Sequence, residues 1–498
     1  LLGFAAQPAP ASAQIAAGPQ VAAAVKSSVG GKYKAFYRAR NYWPIWVHDG
    51  VIGPEADRLI DYLESADVDG LDPSDYDPES LREDVAAARE GSASAVARME
   101  LRLSRAFVAY VRDMRSKPRV DMVYLDAELQ PEKASEVAIL RSAAVAPSLA
   151  AYMDAMGWMS PFYGELRAKL ADYRTNWGGL PLIAIGPGDK LRPGSRGERV
   201  RLLRARLDLT DGEAFDKALA QKVKAFQAAH GLGADGVVGD ATTAALDRSP
   251  QYYEERIRLN LERARVLPAT RKRHIIVDAA AARLWMYEDG AVKDTMRVIV
   301  GKPTEQTPML AGMMRYAVVN PYWNVPEDLV QRRIAPKIVE QGATLDGLGY
   351  EALSDWTAQA SVLQETAIDW SAVAAGQQEV RVRQLPGKSN AMGRIKFMFP
   401  NDLGIYLHDT PDKALFREKE RRFSSGCVRV EDAARLAVWL FGKHVEAETD
   451  DPEQQVMLAE AVPVYLTYFT VAPTAKGITF RDDPYGRDEG KLEQFAVR

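Results

Sequence analysis

Ile405-Tyr406-Leu407-His408-Asp409-Thr410-Pro411, followed by Phe423-Ser424-Ser425-Gly426-Cys427-Val428-Arg429-Val430, joins a strand pattern to reactive side chains. Cys427 is the single cysteine in 498 residues. It follows Ser-Ser-Gly, a turn whose backbone N–H groups can face an oxyanion and whose glycine allows a substrate to approach closely. His408 ends a predicted strand over 403–408. An imidazole beside a thiol can take its proton and later return it to a leaving amine. A plainer reading stands beside this one. A lone cysteine is most often a small buried hydrophobe, and a single histidine after Tyr-Leu can be structural. Spacing alone proves no contact between the two.

Outward from this segment the alternation of a sheet continues. Strands are predicted at 274–278, 283–287 and 295–300, with Glu288-Asp289-Gly290 as a hairpin turn, and again at 314–319 and 394–399. A stretch between Pro326 and about Gln384 breaks the run, helical over Leu329 to Gln341 and then glycine-rich. It reads as an insertion over one face of the sheet, and insertions of this size are more often functional than accidental. A mainly-β domain over 272–490 with a helical insertion at 327–385 follows, then a tail at 491–498. Upstream, 27–186 reads as helical. Met99, Leu103, Phe107, Tyr110 and Met114 recur at helical spacing, and the aromatic run Tyr37 to Trp46 reads as core. Gly186-Pro187-Gly188-Asp189 marks a boundary. A compact unit over 188–250 holds helices at 199–207 and 218–230, a glycine-rich loop, and a short helix capped by Asp240. A linker helix occupies 251–271. The whole is a multidomain α+β chain, in keeping with its length.

Composition narrows the classes. Lys plus Arg total 64 against 68 Asp plus Glu, a net charge of −4, which argues against a nucleic-acid partner. No apolar run is long enough for a membrane-spanning helix. One cysteine excludes an internal disulfide and a multi-cysteine zinc site, and the five histidines form no metal motif. Leu1 to Ala6 followed by Ala11-Ser12-Ala13 reads as the end of an export signal with its cleavage site, so 1–26 is expected to be a signal remnant and disordered tail.

His408 with Ser424-Ser425-Gly426-Cys427-Val428-Arg429 resembles the signature of the L,D-transpeptidase family (YkuD-type catalytic domain), a His followed after a variable loop by Ser-His-Gly-Cys-x-Asn/Arg. The wider text is similar to the large periplasmic YcbB-like branch. Its marks here are Gly301-Lys302-Pro303-Thr304 with Thr307-Pro308, Asn320 to Pro326, Gly393 to Asn401 and Thr479 to Asp488. Leu191 to Val200, Val223 to Gln227 and Asp235 to Gly239 resemble a small three-helix peptidoglycan-binding module, although a spacer without a ligand fits those residues almost as well. Ser425 departs from the family pattern, which has His there.

The resemblance implies a helical scaffold domain, the small module, and a mainly-β L,D-transpeptidase domain with a substrate-capping insertion. It implies peptidoglycan stem peptides as substrate, with other cell-wall synthases as further partners, a monomer, a periplasmic location in a Gram-negative bacterium, and no cofactor or metal. Cys427 would be the nucleophile and His408 the general base and acid, oriented by the Asp409 carbonyl. The N–H groups of Gly426 and Cys427, with Ser425, would form the oxyanion hole. Arg429 would bind a stem carboxylate. Ser424, Tyr406 and Trp323 would line the cleft, the last two being more at home in a core. Carbapenems generally acylate this family, and the change at Ser425 bears on that rate. A cysteine peptidase that trims stems and a non-catalytic wall-binding scaffold remain as alternatives. Wall peptidases of the NlpC/P60 type place Cys before His, the reverse of the order here.

Overall fold

A computed structural model describes residues 18–131, 134–269, 272–357, 359–475 and 477–492. The expected signal remnant falls mostly outside these residues. The tail expected up to residue 26 is not irregular where it is described. Gly18–Ser28 is a helix, because Val21 and Val25, four apart, both find a buried apolar surface. The chain forms two compact units. Among the described residues no helix is long and apolar enough to cross a membrane.

The first unit is mainly helical. Its longest helix, Ala93–Met114, buries the stripe Met99, Leu103, Phe107, Tyr110 and Met114. Glu100 on this helix is fully buried and accepts hydrogen bonds from Tyr37 Oη and from the Ile45 and Trp46 N–H groups. That ties the aromatic run to the helix. The expected three-helix module is present as Glu198–Arg206, Lys217–Ala229 and Asp240–Leu246. Asp240 is the first residue of its helix and does not cap it; Gly239 stands at the cap position. The Asp235 carboxylate instead closes the glycine-rich loop by accepting from Val237 N–H and the Gln227 amide. Pro250–Ala264 forms the expected connecting helix. The described residues from Phe469 onward, expected in the sheet domain up to 490, belong to this first unit. Two buried arginines of the connecting helix explain why: Arg263 and Arg256 both pair with Asp488.

The second unit is a sheet that closes on itself. Its strands are numbered β1 (Val123–Tyr124), β2 (His274–Asp278), β3 (Arg283–Glu288), β4 (Ala291–Gly301), β5 (Leu310–Val319), β6 (Trp323–Val325), β7 (Tyr350–Leu353), β8 (Val362–Leu363), β9 (Arg381–Gln384), β10 (Ile395–Met398), β11 (Leu407–His408), β12 (Arg422–Ser424), β13 (Val428–Val430) and β14 (Gln454–Thr467). The order β10-β11-β13-β4-β3-β2-β14-β5 becomes a ring because β5 also pairs with β10. β1 adds in parallel to β5, an element that the helical pattern around it concealed. It is pinned by Asp126, which accepts from the Met313 N–H. The hairpin turn at Asp289-Gly290 lies in the left-handed region, as two-residue hairpins require.

The insertion is not simply helical. β6, β7, β8 and β9 form their own antiparallel sheet, in the order β8-β7-β9-β6. Short helical turns over 327–341 and Trp370–Ala374 pack on it around Val330, Ile334, Ala352, Trp370 and Val382. The short strands in this stretch carry too few alternating residues to stand out from the helical text around them.

Candidate active site

β11 and β13 run in parallel, with Leu407 opposite Val428 and His408 opposite Arg429. Strand alternation sends Leu407, Val428 and Val430 into the core, where all are buried. Tyr406, His408, Cys427 and Arg429 take the other face and line one cleft of about 590 Å³. Trp323, Ser424 and Ser425 line it too, and the insertion contributes Glu327, Leu329, Arg333 and Trp356 to its wall. The parallel pairing thus brings together residues that the sequence places nineteen apart.

The turn before Cys427 is held from below. Gly426 has φ +110°, and a Cβ there would come within 3.1 Å of Ile405 Cδ1. Its carbonyl accepts from Thr307 Oγ1 at 2.8 Å, and Thr307 Oγ1 in turn accepts from the Gly301 N–H at 2.9 Å. Thr307 is wholly buried. Ser424 Oγ donates to the Cys427 carbonyl at 2.5 Å and accepts from the Gly426 N–H at 3.3 Å. Ser424 is therefore a brace of the turn rather than only a wall of the cleft. The Gly426 N–H, expected in the oxyanion hole, is engaged by that hydroxyl. The Ser425 and Cys427 N–H groups donate to nothing among the described residues. Ser425 turns its hydroxyl to Glu305, whose carboxylate is held below its usual range by Lys302 and by this hydroxyl. Glu305 and Thr307 went unnamed as site residues, although Thr307 lies in a run that carried the family resemblance.

His408 is buried. Its Nδ1–H donates to the Asp409 carbonyl at 2.5 Å, an assignment that leaves Nε2 with the free lone pair. Burial, aided by the charge of Arg429, holds its pKa down to about 3. The Asp409 carboxylate does not reach the cleft. It accepts from the Arg394 N–H and Lys413 Nζ, on the side where Gly393 leaves it room. The Cys427 thiol donates to the Gly404 carbonyl at 3.3 Å and not to His408. Burial pushes the thiol up to about 11, against the opposing pull of the Tyr406 backbone and hydroxyl and of the Arg429 and Lys396 charges. The cleft therefore holds a neutral thiol and a neutral imidazole with no hydrogen bond between them. Tyr406 packs edge-on to the His408 ring at 5.8 Å. Arg429 lies 3.6 Å from Asp412, and its buried Nε–H has no hydrogen-bond partner among the described residues.

A thiol, an imidazole with a defined free nitrogen and a guanidinium thus share one sheet face and one cleft. Residues 272–447 match the family described as "L,D-transpeptidase catalytic domain", residues 196–246 the "Putative peptidoglycan binding domain", and residues 31–170 the "Scaffold domain". The chain carries an L,D-transpeptidase catalytic domain together with a peptidoglycan-binding domain and a scaffold domain. A "Putative L,D-transpeptidase" of Haemophilus influenzae is 34% identical over 244 residues, covering 47% of this chain and 48% of that protein. The match thus spans about half the length of that relative. Among solved structures, an L,D-transpeptidase from Mycobacterium smegmatis is 14% identical, with 39% of this chain and 58% of that one covered and a TM-score of 0.20. One from Xylanimonas cellulosilytica is 18% identical, with 56% and 98% covered and a TM-score of 0.17.

Proposed function

We propose that this chain forms 3→3 cross-links in peptidoglycan. The observation that carries the reading is the shared cleft of Cys427 and His408, with the imidazole tautomer fixed by the Asp409 carbonyl. The donor is a tetrapeptide stem ending in D-Ala. The Cys427 thiol leaves its contact with Gly404 and passes its proton to His408 Nε2. The sulfur attacks the carbonyl of the third residue. The oxyanion is met by the Cys427 N–H, with the Ser425 N–H beside it. His408 returns the proton to the D-Ala nitrogen, the C–N bond breaks, and a thioester remains. An acceptor amine, a diaminopimelate side chain on a neighbouring stem, attacks the thioester, restores the thiol and leaves an amide.

Arg429 binds a stem carboxylate through its unpaired Nε–H. Its neighbour Arg333 reaches the same cleft from the insertion. Such a substrate lies outside the cytoplasmic membrane, and on this reading the protein works in the periplasm of a Gram-negative cell. The test is incubation with tetrapeptide muropeptides and mass analysis of the products. A 3→3 dimer is expected. A tripeptide alone would make the enzyme a trimming carboxypeptidase, and no turnover would leave a wall-binding scaffold. Cys427→Ala removes both products and spares binding to sacculi.

A further inference from the structure

The Asp409 carbonyl that receives the His408 Nδ1–H is not part of a sheet ladder. β11 ends at His408, and among the described residues this carbonyl accepts from nothing but that imidazole. Its direction is therefore set by what holds Asp409 itself. The Asp409 N–H donates to the Ile395 carbonyl at 2.9 Å, which fixes one side of the residue. The carboxylate fixes the other. Its Oδ2 accepts from the Arg394 N–H at 3.0 Å and its Oδ1 from Lys413 Nζ at 2.7 Å. The same ammonium donates at 2.9 Å to the carbonyl of Glu431, one residue beyond β13, the strand that carries Arg429. The backbone also makes room for this carboxylate. Gly393 has φ +64°, and a Cβ there would lie 2.5 Å from Asp409 Cβ, an atom fixed by the backbone and not the far end of a flexible chain.

The Asp409 side chain is only 15% exposed, and it faces away from the chemistry. With Gly393, Arg394 and Lys413 it lines a second cavity, of about 660 Å³, that shares no residue with the cleft. Any part it takes in the reaction thus passes through its own carbonyl. That carbonyl matters because His408 is neutral: the nitrogen that bears its one ring proton leaves the other to take the thiol proton. We infer that Asp409, through its side chain, and Lys413 are positioning residues: the clamp on the carboxylate aims the Asp409 carbonyl at His408 Nδ1 and so keeps Nε2 bare. The inference rests on the reading of Cys427 and His408 as an acyl-transfer pair. With the clamp removed the carbonyl can turn away, part of the population carries its proton on Nε2, and those molecules cannot accept a proton from the thiol.

Two readouts test this. The first needs no turnover: long-range proton–nitrogen NMR spectra of the full chain labelled with nitrogen-15 histidine, with the His408 signals assigned by their loss in His408→Gln. The parent is expected to show Nδ1 protonated and Nε2 bare, and Asp409→Ala to show both tautomers. The second is release of D-Ala from tetrapeptide muropeptides. Asp409→Ala is expected to lower kcat about ten-fold with KM held within about two-fold, because the side chain lies outside the cleft. Asp409→Asn keeps an oxygen for the Arg394 N–H and is expected to recover most of that loss. Lys413 is 48% exposed, so Lys413→Met is expected to cost only about three-fold in kcat, with a smaller tautomer shift in the same direction. It stands in should Asp409→Ala fail to fold. A parental tautomer in the folded variant overturns the inference, as does an unchanged kcat or a loss confined to KM. If the parent itself releases no D-Ala, the acyl-transfer reading fails, while the tautomer comparison still decides whether the clamp aims the carbonyl.

Discussion

At the residue scale the thiol and the imidazole of the cleft are both shifted toward neutrality. Cys427 is raised from 9.0 to about 11, chiefly by burial. At pH 8 the folded chain therefore holds about 100-fold less thiolate than an unshifted thiol. Alkylation by iodoacetamide, followed by mass, is expected to be slower by about that factor in the native chain than in urea, and to rise with pH toward 11. Native labelling at the unfolded rate near pH 8 would contradict this. A raised pKa also means that this thiol's contribution to stability is full below about pH 9 and is lost as pH rises through 11. His408 shifts the other way, to about 3, so its imidazole stays basic in form well below the pH at which a free histidine is protonated. The acid limb of the cross-linking rate should accordingly fall below pH 6.5. The sequence made Cys427, His408 and Arg429 legible because their residue types announce their chemistry. It did not reveal that Ser424 braces the turn, or that Glu305 takes the Ser425 hydroxyl. Those contacts come from segments over a hundred residues apart, or from which way a hydroxyl turns, and no local spacing encodes either.

The turn that carries Cys427 shows what an element must supply beyond its own sequence. Thr307 Oγ1 joins the Gly301 N–H to the Gly426 carbonyl, all in buried surroundings. Thr307→Val keeps the shape and removes both bonds. It is expected to cost about 1–3 kcal/mol in urea denaturation and to depress turnover, because the Gly426 turn is then held from one side only. Loss of stability with full turnover would show that the turn keeps its form without this brace. A second element-scale case is His230, at the end of helix Lys217–Ala229. It stacks on Phe226 at 3.8 Å and meets Tyr253 edge-on; its Nδ1–H donates to the Phe226 carbonyl, and its Nε2 accepts from the Tyr173 hydroxyl. Burial holds it down to about 4. Its contribution to stability is present above about pH 6.5 and is lost as pH falls through 4. His230→Phe is expected to flatten that part of the acid unfolding curve, followed by circular dichroism, while costing about 1 kcal/mol at neutral pH through the lost hydrogen bonds. The helices here were plain in the sequence because their apolar spacing is local. The assignment of the chain after Phe469 was not, because it rests on Asp488 reaching two arginines more than two hundred residues earlier.

On the scale of the whole molecule, the insertion is the part most open to a decisive test. It has its own sheet and its own apolar core, and it also supplies Glu327, Leu329, Arg333 and Trp356 to the cleft. Its entry and exit lie side by side, since Val325 on β6 pairs with Val382 on β9. A short turn joining Pro326 to Arg381 can therefore replace what lies between without pulling the ring of strands apart. Cys427, His408, the Asp409 carbonyl and the Thr307 brace all lie outside the excised residues, so the thioester should still form and D-Ala should still be released. The change should come at the second half of the reaction. An open cleft admits water to the thioester, whereas a walled one favours an amine already bound. The excised chain is expected to yield more tripeptide and less 3→3 dimer from the same muropeptides, with the total release of D-Ala retained. An unchanged ratio of dimer to tripeptide would remove the insertion from the choice of acceptor and leave it a purely structural addition to the sheet.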